Sequence, residues 1–372
     1  MCSLVLCAGA APAQDAPAVE TTGPEVRLRL GGLVQPRMSY GWTTAAPNDE
    51  ARQRVGFGVR RARLRATVTI DERAGAYIQV GGSSGTLRVI DAYVFFQPNK
   101  RVRLRMGRMS SAQVRALLLT PSFAIDAVDR AAIAGIWGRN TIGADGRDFG
   151  LDLRYRTDQG DATLFIHNGD GSWDRLRGNY REGIGGGQPT GGIERGLTDL
   201  AVSFYSTLRP QALPGLDVGG FISYNGSANV NTEAETIGRE YISYGAHLYW
   251  GAAPGSQRVR LKADVIGIQY ETLSGVTPDL RNQHAVGTAL LAALRLHRAA
   301  ELFARAEHYD ANVNRDGRGD TYLTGGFSFS LSRLRGRPYS RERFTLGYSA
   351  LLPQDNDEPT RHLLILQAQI AF

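Results

Sequence analysis

Apolar and polar residues exchange places at every step through much of the chain. The clearest stretch is Arg60 to Ile70. There Ala62, Leu64, Ala66, Val68 and Ile70 fall on one parity, and Arg61, Arg63, Arg65, Thr67 and Thr69 fall on the other. Successive side chains of a β-strand point to opposite faces, so the pattern predicts a strand with one apolar face and one cationic face. Wound as a helix, the same residues would scatter charge around the whole cylinder. Three arginines abreast on a strand face need water or anions, and a packed core offers neither.

The same alternation recurs along the chain. Val26, Leu28 and Leu30 face away from Arg27 and Arg29 in a strand over Val26–Tyr40. Ala76, Ile78 and Val80 mark a strand over Ala74–Val80, and Ile90, Ala92, Val94 and Phe96 mark the next. Val102, Leu104 and Met106 alternate with Arg101, Arg103 and Arg105, and Phe149–Arg156 and Ala162–Asn168 follow. Further runs lie at 197–208, 216–224, 240–250, 258–269, 284–296, 301–309, 321–331, 342–348 and 362–372. That makes about 16 strands, each near the ~10 alternating residues a membrane-crossing strand needs.

The connections also alternate. Long ones at 41–56, 110–147, 169–196, 225–239, 270–283, 310–320 and 349–361 are interleaved with short ones such as 71–73, 157–160 and 297–300; the short 81–85 is the exception. Long loops on one side and tight turns on the other predict an all-β, transmembrane, antiparallel up-and-down β-barrel with both termini on the short-turn side. In the last strand Leu364, Leu366, Ala368, Ile370 and Phe372 share one parity, and this resembles the C-terminal sorting signal of outer-membrane barrels. Tyr40, Trp42, Tyr155, Tyr244, Trp250 and Tyr348 lie near strand ends, where interfacial aromatic girdles sit.

Composition sharpens this picture without changing it. The chain has 372 residues, 45 of them glycine, a formal charge of +7 and a mean hydropathy of −0.25. No uncharged apolar run reaches the ~20 residues of a membrane helix, and barrels conceal their hydrophobicity in alternation. Lysine occurs only at Lys100 and Lys262, so the positive charge is guanidinium, which is always protonated and forks onto phosphate or carboxylate oxygens. The apolar run Leu4–Ala11 followed by Ala11-Pro12-Ala13 reads as a signal peptide over 1–13, although a basic n-region is missing. A linker over 14–25 and a barrel over 26–372 follow. Cys2 and Cys7 both lie in the signal, so the mature chain has no disulfide framework.

A barrel of ~16 strands encloses an aqueous channel. The polar parity predicts an anion pathway made of Arg61, Arg63, Arg65, Arg103, Arg105, Arg154, Arg260, Lys262 and Arg305. The opposing reading pairs these cations with Asp91, Asp152, Asp264 and Glu307, which would cancel their field. The segment 110–147 holds the apolar run Val114–Leu119 and then charged residues, with Arg115, Arg130 and Arg139 as candidates to line a constriction. Folding it inward would bury that run; a trimer contact or an external lid is the alternative. The run Asp310 to Gly317 resembles a calcium loop, but its glycine is misplaced and no bidentate Glu follows. The six histidines are scattered, and no nucleophile elbow, metal-ligand set or nucleotide fingerprint is present. Neither a metal, a cofactor nor a nucleic-acid partner is expected.

Several short motifs together resemble the phosphate-selective porin O and P family. They are Arg60-Arg61-Ala62-Arg63-Leu64, Ile90-Asp91-Ala92-Tyr93, Val102-Arg103-Leu104-Arg105-Met106-Gly107-Arg108, Asp129-Arg130 and Asn168-Gly169-Asp170-Gly171. The resemblance implies a sixteen-stranded barrel, a homotrimer in outer-membrane lipid, and passive diffusion of small inorganic anions. In the family, phosphate specificity depends on an arginine ladder and a lysine cluster; this chain has the arginines and almost no lysine. The expectation is therefore a bacterial outer-membrane porin for phosphate-like anions and not an enzyme. The alternatives are a general non-selective porin, a plugged non-conducting barrel, and an outer-membrane barrel hydrolase with Ser and His on its wall.

Overall fold

A computed structural model describes residues 19–20, 26–45, 50–82, 87–141, 146–169, 200–231, 236–272, 283–315, 319–355 and 357–372. The expected signal peptide and most of the linker lie outside these residues. Sixteen antiparallel strands close into one barrel. In chain order they are β1 Val26–Thr43, β2 Gln53–Ile70, β3 Ala74–Gly82, β4 Arg88–Phe96, β5 Val102–Met109, β6 Asp148–Thr157, β7 Gly160–His167 and β8 Ala201–Leu208. The second half comprises β9 Leu216–Asn231, β10 Thr236–Trp250, β11 Val259–Thr272, β12 His284–His297, β13 Ala300–Asp310, β14 Gly319–Ser330, β15 Glu342–Pro353 and β16 Arg361–Ala371. Each strand pairs with its sequence neighbours, and β16 closes on β1 from Arg361↔Thr43 to Ala371↔Leu33. A two-residue strand, Val19–Glu20, adds to β1 at Leu28 and Arg27.

The alternation resolves into lipid and lumen. Leu64, Met106, Leu290 and Leu366 are 59, 65, 64 and 50% exposed, a continuous oily girth that only a hydrocarbon surround tolerates. The opposite parity points inward: Arg61, Asp152, Asp161, His167, Ser203, Arg260 and Glu307 are all buried. At the rim, Trp42 stacks with Tyr40 and Tyr348 at 5.2 and 6.0 Å between ring centroids. Asp71 and Glu72 turn the three-residue β2–β3 connection, 71–73, with left-handed φ of 49° and 59°, and the Arg73 N–H donates to the Ile70 carbonyl at 3.2 Å.

Two boundaries differ from the sequence expectation. The connection expected at 225–239 shrinks to 232–235, because β9 and β10 stay paired up to Asn231↔Thr236. The one expected at 41–56 narrows likewise, with Trp42↔Gln53 paired. Beyond the lipid both faces of a strand meet water, so alternation fades while backbone pairing continues. The wall is also uneven: β3 to β8 have 8 to 10 residues, β9 to β12 have 14 to 16.

One irregularity sits in the arginine strand itself. The β1–β2 register slips between Gln35↔Arg61 and Pro36↔Val59, leaving Arg60 as the extra residue of a bulge. Pro36 has no N–H to give to a ladder, which suits it to that place. The slip reverses parity, so Val55, Phe57 and Val59 share the outward side with Ala62 and Leu64, and the neighbours Arg60 and Arg61 both reach Asp129.

Candidate functional site: an asymmetric lumen

The segment between β5 and β6 enters the barrel. It contains a single distorted turn at Arg115–Leu119, a short 3-10 turn at Ser122–Ala124, and α1 at Ala132–Asn140. Its apolar residues Val114, Leu117, Ile133, Ala134 and Trp137 pack on inward-facing Phe165, Phe221, Tyr241, Ile266, Ile268 and Tyr309. Burying that surface against an apolar inner wall is the driving force for its position. Trp137 meets Phe221 edge-on at 5.4 Å.

Polar anchors then fasten the segment around the lumen. Asp126 accepts from Lys262 Nζ at 2.7 Å and from Arg260, which also pairs with Glu301. Asp129 accepts from Arg60 at 2.8 Å and Arg37 at 3.1 Å, with Arg61 at 4.0 Å. Arg115 reaches Asp217 at 2.9 Å. The Ile133 N–H donates to Glu307, Arg343 donates to the Ile125 carbonyl at 2.7 Å, and Gln369 donates to the Phe123 carbonyl at 3.0 Å. Burial pushes the Asp126 carboxyl up, but Lys262 and Arg260 overcome it and hold the carboxyl down to about 2. Burial also opposes Asp129 ionisation, and Arg60, Arg61 and Arg37 still hold that carboxyl below its ordinary value.

Because this segment leans on β7–β13, the space left in the lumen lies against β1–β5. A cavity of about 200 Å³ sits there, lined by Arg63, Arg65, Arg105, Arg130 and Arg147 among others. The structure divides the sequence-nominated cations into two groups. Arg105, Arg154, Arg260, Lys262 and Arg305 each have a carboxylate: Asp152, Asp161, Asp126 with Glu301, Asp126, and Glu307. Arg61 shares the one carboxylate of Asp129 with Arg37 and Arg60. Arg103 lies over the Phe95 ring at 4.3 Å.

Arg63 donates to Ser122 Oγ at 2.8 Å, and Arg130 donates to the Leu117 and Ala116 carbonyls. Arg65 is exposed to the lumen. None of these three forms an ion pair among the described residues. Arg130 is pushed well down from its usual range by burial first and then by the like charges of Arg61, Arg63, Arg147 and Arg60. Arg115 is anchored away from this group, and Arg139 belongs to α1 with its side chain outside the described residues. Of the acids nominated as neutralisers, Asp152 and Glu307 do pair with nominated arginines, and Asp91 pairs with Arg147 at 2.7 Å. Asp264 instead accepts from the Tyr249 hydroxyl at 2.9 Å. The pathway expected from the sequence left out Arg37, Arg60, Arg147 and Arg343. For Arg60 a signal existed: apolar parity switches between Val59 and Ala62, as a bulge requires.

A second constellation faces inward where β6, β7 and β8 meet. His167 places Nδ1 2.7 Å from Asp148 Oδ2 and Nε2 2.8 Å from Ser203 Oγ, which is itself 2.7 Å from Ser223 Oγ. Those are the spacings of an acid–base–nucleophile relay. All three side chains are buried, at 0, 1 and 1% exposure for Asp148, His167 and Ser203, so no substrate carbonyl can reach the hydroxyl. Asp148 also accepts the N–H of Phe149 and of Gly169, and the chain of bonds crosses four strands as a polar girdle of the wall. Among the described residues no cluster of three or more His, Cys, Asp or Glu could hold a metal ion. In the Asp310 loop the side-chain oxygens of Asp310 and Asn312 cap the N–H groups of Asn312 and Asn314.

No protein-family model and no curated protein sequence matches the chain. Solved structures do match in fold. An anion-selective porin from Comamonas acidovorans is similar at a TM-score of 0.65 and 14% identity, covering 94% of this chain and 100% of that one. OprB of Pseudomonas putida is similar at 0.60 and 9% identity, covering 92% and 94%. The outer-membrane channel DcaP of Acinetobacter baumannii is similar at 0.59 and 12% identity, covering 96% and 100%. At these identities the likeness establishes the fold, that of an outer-membrane porin barrel.

Proposed function

We propose that the chain is a bacterial outer-membrane porin through which small anions diffuse passively, constricted by the segment 110–147 and guided by guanidinium groups on β2. The observation that carries this reading is a local charge imbalance. Among the described residues, Arg63, Arg65 and Arg130 border the β1–β5 cavity without ion pairs, and Asp129 alone balances Arg37, Arg60 and Arg61. Fixed cations in a narrow aqueous bore favour anions by field and by hydrogen-bond donation. Purified protein in a planar bilayer under a salt gradient should give a reversal potential of anionic sign. A cationic sign overturns the reading, and a reversal near zero favours a general porin.

Phosphate is the solute that resemblance nominates, and the forked donors of Arg63 and Arg65 match its oxygens. Saturable block of chloride current by phosphate is the corresponding test. A homotrimer is proposed on one structural ground. β2 pairs with β3 only from Ala62↔Gly82 onward, so the edge at Gln53–Arg61 is open among the described residues. Phe57 on that edge is 86% exposed, and an open, apolar edge invites a second copy of the chain. The chain reads as a non-enzyme. The one observation favouring a hydrolase is the Asp148–His167–Ser203 spacing, and its burial weighs against it.

A further inference from the structure

The β1–β5 cavity is lined by two chemically different kinds of group. Arg63, Arg65 and Arg130 are the cations without an ion pair among the described residues; Asp91, the carboxylate on the lining, is matched by Arg147 at 2.7 Å. The second kind is apolar and aromatic, interspersed with Gln79, Ser110 and Ser122. Leu118, Pro121 and Phe123 of the inserted segment belong to it, and so do Tyr77 of β3 and Tyr93 of β4. The two tyrosines are cross-strand partners, stacked at 5.0 Å between centroids with 23° between planes. The Arg105 guanidinium lies over the Tyr93 ring at 5.2 Å, and the Tyr77 hydroxyl donates to Gln79 Oε1 at 3.1 Å. The ring stack is therefore braced from β5, and the Tyr77 hydroxyl proton is committed to Gln79.

An inorganic anion uses only the donors, and Leu118, Pro121 and Phe123 give it none. An aromatic acid uses both kinds of group, placing its charge on the guanidiniums and its ring on the tyrosines. The cavity, about 200 Å³, is smaller than the ~300–1,000 Å³ of pockets for drug-sized ligands, which limits the occupant to a single ring. We propose that this cavity is a binding site for single-ring aromatic carboxylates, with Arg63 and Arg65 on the carboxylate and the Tyr77–Tyr93 stack against the ring. This adds a class of organic anion to the pore reading above and rests on it only for passage, not for binding.

The test compares three anions on the intact, detergent-solubilised protein by titration calorimetry: benzoate, cyclohexanecarboxylate and inorganic phosphate. Benzoate should bind about fivefold more tightly than cyclohexanecarboxylate, which has equal charge and similar bulk but no flat π-face. It should also bind more tightly than phosphate. Tyr77→Leu keeps apolar bulk and should bring the benzoate-to-cyclohexanecarboxylate ratio close to unity. Equal affinities for the two carboxylates in the unaltered protein, or a ratio untouched by Tyr77→Leu, overturn the proposal. If Tyr77→Leu does not assemble, the ligand ratio in the unaltered protein decides alone. The same anions applied to chloride current separate the two readings. A barrel that binds benzoate but does not conduct loses the pore and keeps the site; an anion-selective pore indifferent to the ring keeps the pore and loses the site.

Discussion

Lys262 on β11 donates to Asp126 at 2.7 Å, and the two residues are 136 positions apart in the chain. Arg260, two residues away on the same lumen face, donates to the same carboxylate and to Glu301. Two cations that look like a pore lining in the sequence thus serve as a fastening for the inserted segment. The pathway is left to the other wall.

Charge reversal on β2 should act accordingly. Arg63→Glu combined with Arg65→Glu puts two carboxylates where the cavity has unpaired guanidiniums, so the reversal potential should change sign. Arg154→Gln removes a cation already bound to Asp161 at 2.6 Å and should move it less. Equal shifts from both changes would place the filter elsewhere.

The fastening has a predictable pH response. Asp126 titrates at about 2 in the fold against an ordinary 3.8. A depressed carboxyl contributes its stability above the ordinary value and loses it as pH falls through the folded value; here that contribution is on the order of 2 kcal/mol. Open-channel current noise should therefore stay constant from neutral pH to about 4 and rise between about 4 and 2. A transition near neutrality would assign gating to other groups.

Asp126→Asn keeps shape and removes charge. Lys262 then keeps the Ala252 carbonyl, at 2.7 Å, and the Tyr249 ring, at 4.9 Å, while Arg260 retains Glu301. Breaking a buried pair from one side costs about 3 kcal/mol. The temperature at which the folded gel band converts to the unfolded one should fall, and flicker should increase at neutral pH. An unchanged melting temperature would mean that the apolar contacts of Trp137 and its neighbours hold the segment alone.

Phe57→Asp places a charge on the open β2 edge. Native electrophoresis should show trimer for the original chain and monomer for the variant, with the monomer still heat-modifiable. A monomeric original chain would remove the trimer.

Ser203→Ala deletes the centre of the polar girdle and should cost about 1 kcal/mol of stability. The purified protein should hydrolyse no ester or phospholipid in a way this change abolishes. Hydrolysis lost with Ser203 would restore the enzyme reading and require the site to open.

The barrel was legible because lipid and water impose a period of two on every crossing strand, as Ala62, Leu64 and Ala66 show against Arg61, Arg63 and Arg65. Neutralisation was not legible. Arg105 faces Asp152 across an adjacent strand pair, which parity and register can anticipate. Arg260 meets Asp126 and Arg60 meets Asp129 only because the inserted segment crosses the bore, and periodicity carries no information about that crossing. The aromatic lining of the cavity escaped for a related reason: Tyr77 and Tyr93 read as ordinary strand residues until the segment brings Phe123 and Pro121 to the same cavity.

The inserted segment is held by Gln35 from the first strand, Arg343 from the fifteenth and Gln369 from the last. Those three partners share one enclosure only after the β16–β1 seam has zipped. The full set of these anchors therefore forms only after ring closure, whereas the apolar contacts on β7–β13 do not require it. A barrel arrested with that seam open would be expected to keep Trp137 on its β7–β13 partners while the stretch from Ser122 to Ile125 lacks its anchors, where proteases that patrol unfinished barrels could find it.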